Sequence, residues 1–304
     1  LCHQKEKICV MKLTHHSEYG TLKSIYLKPA EFSFVGPELI SRQWKELNYL
    51  AKPDFEIALK EYAAFEKIIK ETEASVKYFG LNDSVSMDSI YCRDASIATD
   101  FGIIICTMGK DGRKNEPVVA EKVYTTNGDK ILGRIESPGT LEGGDVAWMD
   151  EKTLAVGRTY RTNDSGIEQL RALLEPHGVI IIQVDLPHYK GKSDVFHLMS
   201  ILSPVDKDLA VVYSSLMPIS FRELLIERGF KLVEVPDEEF ESMGCNVLAT
   251  SPRNCLVVSG NPLTKQRLEE ASAIVTTYDG KEISVKGGGG PTCLTRPMLR
   301  ALNK

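Results

Sequence analysis

Cys293 could serve as a nucleophile, because it follows a run of four glycines, Gly287 to Gly290, in an otherwise ordinary stretch of chain. The thiolate form of cysteine attacks electrophilic carbon. Glycines let the backbone approach a ligand closely, and Pro291 stiffens the chain that follows. A phosphate-binding loop is excluded, since no Gly-Lys-Ser/Thr follows the glycines. From the spacing alone, a flexible loop with an incidental cysteine explains this segment equally well.

One histidine and two pairs of acids occur next to segments that read as strands. His197 can act as an acid and a base near neutral pH. Glu142 and Asp145 flank a glycine pair. Asp88 and Asp94 are six positions apart, and this even spacing puts both on one face of a strand. Taken singly, each has a structural explanation, such as a satisfied histidine or a solvated turn. A solvated helix cap likewise explains the arginines of the segment 158–163.

The elements that would position these residues recur as a unit of hairpin, helix and third strand. In the clearest copy, strands at 146–149 and 153–156 precede a helix at 167–174 and a strand at 179–184. The next two copies are predicted as strands at 198–202 and 209–213, a helix at 221–228 and a strand at 230–235, then a strand from 246, a strand at 256–258, a helix at 264–273 and a last strand near 283–285.

Two less regular copies cover residues 22–79, with a helical insertion around 46–71, and residues 89–135. Hairpins separated by helices argue against a doubly wound sheet, in which every strand is followed by a helix. Five such units indicate an α/β fold, a five-bladed propeller of ββαβ repeats around a central funnel. We predict a single domain over residues 1–304, with the acids, Cys293 and His197 meeting in the funnel.

Composition narrows the classes of protein. The 304 residues carry a formal net charge of -5, which offers no basic field for nucleic acid. The longest apolar runs have strand length and fall short of the roughly 20 residues that span a bilayer, so no membrane partner is expected. The charged N-terminus does not resemble a signal peptide. We therefore expect a cytoplasmic protein whose residues 1–11 are disordered or derived from a tag, with Met11 as the natural start.

Cysteine usage agrees with a reducing compartment. The seven cysteines are odd in number and lack the paired spacing of a zinc site or a disulfide framework. Cys106 and Cys255 lie within apolar runs and are predicted to be core residues.

Five motifs occur in the order found in the guanidino-group-modifying superfamily, which has the pentein fold. They are Arg93-Asp94, Glu142-Gly143-Gly144-Asp145, His197, the segment 243–248 and the glycine run before Cys293. The sequence resembles this superfamily over nearly its whole length, and most closely its dimethylarginine dimethylaminohydrolases. Arginine deiminases and amidinotransferases are other members.

The resemblance implies a set of catalytic roles. Cys293 would be the nucleophile that attacks a guanidinium carbon, His197 the general acid and base, and Glu142 the residue that orients His197. The reaction would pass through a covalent thiouronium intermediate and would require neither a metal nor an organic cofactor.

The same resemblance implies residues that bind an arginine-like small molecule. Asp94 would bind the guanidinium and Asp88 the α-amine. Arg161 would hold the α-carboxylate, and Arg113 would assist. The oligomeric state is left open, with a homodimer as one option.

Two departures from related sequences bear on the substrate. Met199 stands where arginine deiminases and amidinotransferases have an acid, which favours Nω-methylated arginine and its conversion to citrulline and methylamine or dimethylamine. Arg93 stands where dimethylaminohydrolases often have a second acid, which keeps arginine deiminase, citrulline or ureido hydrolase and amidinotransferase activities as alternatives. A non-enzymatic pentein binding protein is disfavoured, because such proteins lack the cysteine and the histidine.

Overall fold

The computed structural model of the protein describes residues 11–303. Residues 1–10, for which we predicted disorder or a tag, lie outside the described part, whereas Met11 begins a strand. The strands are β1 (Met11–Thr14), β2 (Thr21–Leu22), β3 (Ser24–Leu27), β4 (Ser75–Tyr78), β5 (Ser96–Ile97), β6 (Ile103–Ile105), β7 (Ile131–Arg134), β8 (Val146–Asp150), β9 (Thr153–Arg158), β10 (Ile180–Asp185), β11 (Leu202–Asp206), β12 (Leu209–Val212), β13 (Lys231–Glu234), β14 (Leu248–Ser251), β15 (Asn254–Val258), β16 (Ile274–Tyr278), β17 (Thr295–Pro297) and β18 (Arg300–Asn303).

The helices lie between these strands along the chain. They are α1 (Ala30–Ser33), α2 (Pro37–Gln43), α3 (Phe55–Lys70), α4 (Glu116–Thr126), α5 (Asp164–Leu174), α6 (Ile219–Glu227), α7 (Asp237–Phe240) and α8 (Pro262–Glu270). Short helical turns cover Met87–Ile90, Asp111–Arg113, Gly143–Asp145, Glu175–His177, Leu198–Ser200, Ser214–Leu216 and Lys281–Val285.

Four of the sheets repeat one connectivity. In the sheet of β8, β9 and β10, the first two strands form an antiparallel hairpin, and the chain then crosses over through α5 and returns parallel to β9. The same pattern joins β5 to β7 through α4, β11 to β13 through α6 and β14 to β16 through α8. These are the predicted ββαβ blades of an α/β propeller.

The fifth blade is built from both ends of the chain. β17 pairs antiparallel with β3, and β4 pairs parallel with β3 after the crossover through α3. We had predicted that residues 22–79 contain a whole repeat, and this was wrong for the inner strand, which comes from residues 295–297. A sixth sheet, in the order β1, β18, β2, adds a second link between the two ends. The ring is therefore closed by strand pairing.

Helix α5 shows how the sequence produces a blade helix. The side chain of Asn163 accepts a hydrogen bond from Gly166 N at 2.8 Å and caps the first turn. Ile167, Leu170 and Leu174 recur on one face and are fully buried against the sheet. The predicted helix at 167–174 is confirmed apart from its capped first turn.

Two predicted strands were misplaced. Residues 198–200 form a helical turn instead of opening a strand, because Ser200 Oγ accepts from His197 N at 3.1 Å. The apolar segment at 283–285 lies in a helical turn, because the carboxylate of Glu61 on α3 accepts from Glu282 N and Ile283 N at 2.8 and 3.1 Å. The last strand of that blade is β16.

The blades meet through apolar cores around the inner strands. Cys106 and Cys255 are buried in these cores, as predicted. Within residues 11–303, no helix is both long enough and apolar enough to cross a membrane.

Candidate active site

Cys293 lies between the glycine run and β17, and Asn246 fixes its sulfur. Asn246 Nδ2 donates to Cys293 Sγ at 3.2 Å. The other end of the amide, Oδ1, accepts from Thr292 N at 3.0 Å and from Thr292 Oγ1 at 2.7 Å, so Nδ2 must face the sulfur. A side chain at Gly290 would place a Cβ 2.6 Å from the Asn246 side chain, so this glycine is required by a close approach. Asn246 belongs to the motif at 243–248, but the sequence predicted no role for this residue.

His197 is held by a carboxylate at the bottom of the same site. Its Nε2 lies 2.8 Å from Glu142 Oε2, and both side chains are buried. Glu142 Oε1 accepts from Gly109 N at 3.0 Å and from Lys110 N at 3.1 Å, so both of its oxygens are engaged. A Cβ on Gly144 would lie 2.5 Å from His197 Nδ1, so the chain must be bare there for the ring to fit. The predicted pairing of Glu142 with His197 is present in the structure.

Asp145 orders the chain around the histidine. Its Oδ1 accepts from Leu198 N at 3.0 Å, and its Oδ2 accepts from the hydroxyls of Thr159 and Thr162, both at 2.7 Å. Burial raises the pKa of Asp145 to about 6. From the sequence, Asp145 was predicted only as part of a motif. Thr159 and Thr162, which donate to it, are the residues that could have indicated its role.

The charges in the site favour an imidazolium beside a neutral thiol. Burial lowers the pKa of His197, but Asp145, Asp94 and Glu142 outweigh it and raise the pKa to about 9. Burial raises the pKa of Glu142, yet the bond to His197 and the nearby arginines bring it below its usual value. Burial and Asp94 raise the pKa of Cys293, against the opposing effect of the Asn246 hydrogen bond. A bound cation would favour the thiolate, because an opposite charge stabilises the charged form.

Asp94 presents one free oxygen. Arg113 Nη1 donates to Asp94 Oδ2, while Arg113 Nε and Nη2 bind Glu116 at 2.9 and 2.7 Å and Nη2 also binds Tyr91 O at 2.8 Å. Asp94 Oδ1 is buried and has no hydrogen-bond partner among residues 11–303. Arg113, predicted to assist binding, thus contacts Asp94 directly and would reach a ligand through it.

Asp88 is paired with a lysine. Lys110 Nζ donates to Asp88 Oδ2 at 2.6 Å and to Leu47 O at 2.7 Å. A carboxylate and a backbone carbonyl are also what an α-ammonium group would need. Lys110 Nζ therefore occupies one oxygen of the carboxylate that we predict to bind the α-amine.

Arg161 is buried but loosely held. Its Nη1 lies 3.5 Å from Glu142 Oε1 and its Nη2 lies 3.5 Å from Asp194 O, while its Nε has no partner among the described residues. These long contacts leave donors that a carboxylate could take.

A cavity of about 270 Å³ opens beside Cys293 and His197. Cys293, His197 and Met199 line it together with Asn246 and Asp194. Asp94, Glu142 and His197 each offer a ligand atom, and these atoms lie within 4.8 Å of one another, a spacing at which a metal ion could be held. The guanidinium groups of Arg113 and Arg161 already bind two of these three side chains, which disfavours a metal cation by like-charge repulsion. The absence of a metal stays a prediction.

Residues 38–300 match the family described as N,N dimethylarginine dimethylhydrolase, eukaryotic. This match covers most of the chain. The protein belongs to the dimethylarginine dimethylaminohydrolase family. The predicted resemblance to the dimethylarginine dimethylaminohydrolases is confirmed. Membership of this family places the chain among the guanidino-modifying hydrolases.

Similar proteins cover almost the whole chain. A dimethylarginine dimethylaminohydrolase of Pseudomonas aeruginosa is 25% identical over 82% of this chain and 91% of its own length. An uncharacterised protein of Bacillus subtilis, YkgA, is 24% identical over 95% of this chain and 96% of its own. The structure of the Pseudomonas dimethylaminohydrolase complexed with citrulline superposes with a TM-score of 0.73 at 23% identity, over 91% of this chain and 99% of the other. The predicted pentein fold is confirmed.

Proposed function

We propose that this member of the dimethylaminohydrolase family hydrolyses Nω-methylated arginine to citrulline and methylamine or dimethylamine. The observation that carries the proposal is the free, buried Asp94 Oδ1 beside the Glu142 and His197 pair, because His197 lines a cavity together with Cys293. Such an acceptor suits a planar cation with N–H donors, and a guanidinium is one.

The first step forms a covalent bond. Asp94 would hold the guanidinium by a charge-assisted hydrogen bond and fix its carbon near Cys293. The substrate cation would favour loss of the Cys293 proton to solvent, and the thiolate sulfur would then add to the guanidinium carbon. His197 would donate its proton to the methylated nitrogen, and the carbon–nitrogen bond would break to release methylamine or dimethylamine.

The second step removes the adduct. Neutral His197 would take a proton from water, whose oxygen adds to the thiouronium carbon. Loss of the Cys293 sulfur then yields citrulline and restores the thiol. Glu142 would act through His197 as a positioning residue, because both of its oxygens are occupied by hydrogen bonds.

Met199 supports a methylated substrate. It lines the cavity and is almost completely buried. A thioether offers no strong acceptor to an N–H group, and an unpaired buried donor costs on the order of 1 to 3 kcal/mol. Methyl groups carry no such cost.

A second candidate is hydrolysis of citrulline or another ureido compound. Arg93 stands where dimethylaminohydrolases often have a second acid, and its guanidinium binds Glu18 at 2.9 Å. A neutral ureido group is not attracted to carboxylates as a cation is. A site with one free carboxylate oxygen therefore loses less binding free energy with a ureido group than a site with two.

The test is the formation of citrulline from arginine, monomethylarginine and dimethylarginine, with loss of citrulline measured in parallel. We expect kcat/KM to be about ten- to a hundredfold higher for the methylated arginines than for arginine. His197→Gly with the preferred substrate should accumulate an adduct on Cys293 by mass spectrometry. Turnover of arginine or citrulline in preference to both methylated compounds would contradict the proposal.

A further inference from the structure

Three arginines are buried where the inner strands of different blades converge. Arg93, Arg296 and Arg300 are each at most 5% exposed. Arg296 Nη1 donates to Ser96 O on β5, and Arg300 Nη1 donates to Ala249 O on β14, both at 2.8 Å. Because β5, β14 and the β17 strand of Arg296 belong to three blades, the cluster lies at the centre of the propeller.

One acid faces these arginines. Glu18, in the connection between β1 and β2, accepts from Arg93 Nη2 at 2.9 Å and from Trp148 N at 3.3 Å. Among residues 11–303, this is the one ion pair that the three arginines make. The cluster of Glu18, Arg93, Arg296 and Arg300 therefore holds more positive than negative charge. Burial lowers the pKa of Arg300 to about 9, and the positive charges of Arg93 and Arg296 add to the effect.

The cluster also has unused hydrogen-bond donors. Arg93 Nε and Nη1 and Arg300 Nε and Nη2 are buried without a partner among the described residues. Burying charge is unfavourable unless the charge is paired and hydrogen-bonded. A negative group that accepts from guanidinium N–H groups would satisfy both the unused donors and the excess positive charge.

We propose that this axial arginine cluster binds a small monovalent anion of the halide class between Arg93 and Arg300. A small ion suits the site best, because the unpartnered donors belong to two side chains that are each only 1% exposed. A single negative charge reduces the net charge of the cluster from about two positive charges to about one and leaves the pair of Arg93 and Glu18 in place.

This anion site is separate from the substrate cavity. Arg93 and Asp94 are adjacent, but Arg93 binds Glu18 whereas Asp94 binds Arg113. The side chains of these adjacent residues therefore belong to two different groups of buried charges. The proposal does not depend on which guanidino or ureido compound the enzyme hydrolyses.

Anomalous diffraction from crystals containing bromide provides a direct test. We expect a bromide peak within hydrogen-bonding distance of Arg93 and Arg300. Water at that position, or a carboxylate supplied by residues 1–10 such as that of Glu6, would overturn the proposal.

Thermal unfolding in chloride and in gluconate of equal ionic strength tests the site in solution. An ion that binds only the folded protein raises the melting temperature, and we expect chloride to raise it by about 2 °C or more relative to gluconate. Arg300→Gln should lose this difference, and Glu18→Gln, which removes a negative charge from the cluster, should increase it. The second variant keeps the test decisive if the first does not fold.

Arg228→Gln is the matched control, because Arg228 pairs with Asp150 at the surface. It should keep the chloride effect of the wild type. Equal melting temperatures of the wild type in the two salts, or an unchanged chloride effect in a folded Arg300→Gln, would refute anion binding by the cluster.

Discussion

Two buried charge clusters lie on the two sides of the segment that contains Arg93 and Asp94. The acidic cluster has Asp94, Glu142 and Asp145 around His197, and the axial arginine cluster has one acid for three arginines. Each keeps unpaired polar atoms, an acceptor on Asp94 and donors on Arg93 and Arg300. Only the acidic cluster has members that line the large cavity with Cys293.

The comparison separates a reactive site from a fixed one. A spare acceptor next to His197, which lines a cavity together with the nucleophile, can bind and release a cation during turnover. Spare donors enclosed by inner strands can hold an ion that stays with the fold. The following substitutions test whether the chemistry depends on the first cluster and the thiol beside it.

The largest expected effect is that of Cys293→Ser. A serine hydroxyl is a far weaker nucleophile than a thiolate, so turnover should fall by at least about a hundredfold. Steady-state citrulline formation measures the loss. Cys255→Ser, in the apolar core, should keep kcat near that of the wild type even if stability falls. More than a tenth of wild-type activity in a folded Cys293→Ser would remove Cys293 from the mechanism.

Met199→Asp should alter selectivity. A carboxylate at this position would pair with free N–H groups and crowd methyl groups, so the preference for methylated arginine should shrink or reverse from its expected ten- to hundredfold value. The ratio of kcat/KM for dimethylarginine and arginine gives the comparison. Met199→Leu is the matched control, because it keeps an apolar side chain at the same position and should keep the wild-type ratio. An unchanged ratio in Met199→Asp would show that residue 199 does not contact the guanidino group.

Alkylation of Cys293 by iodoacetamide should respond in opposite directions to the two clusters. Burial and then Asp94 raise the pKa of Cys293, while Arg93 lowers it. Asp94→Asn should therefore move the pH profile of alkylation to lower pH, and Arg93→Gln should move it to higher pH. Mass spectrometry of the Cys293 peptide, without substrate, follows the rate. Shifts in the same direction would mean that the two charges do not act on the thiol as the structure indicates.

The smallest effect concerns stability. The pKa of His197 is raised to about 9 in the folded protein, from an ordinary value near 6.5. The attraction of the imidazolium to Asp145, Asp94 and Glu142 therefore stabilises the fold fully below about pH 6.5, and this contribution is lost as the pH rises through about 9. His197→Gln should cost on the order of 1 to 3 kcal/mol at pH 6 and less at pH 10. Urea unfolding at the two pH values measures it, and a larger cost at pH 10 would reverse the sign we infer.

Much of the repeat can be predicted from local sequence. The hairpin, helix and strand of the block that begins at Val146 were located almost residue by residue, because apolar periodicity and a capping asparagine act within a few positions. The resemblance further predicted which residues to consider, including Cys293, His197, Glu142 and Asp94. Their roles stay predictions.

Contacts between distant segments could not be predicted in this way. The inner strand of one blade comes from residues 295–297, and the last predicted strand is a helical turn capped by Glu61, more than two hundred positions away. Asn246 on Cys293 Sγ and Glu18 on Arg93 likewise join residues 47 and 75 positions apart. The sequence alone determined the repeating unit and the chemical groups available to it, since periodicity and residue type are local properties. Only the tertiary structure decided which groups are paired and which are left free, because hydrogen bonding and burial depend on chain segments that meet when the ring closes.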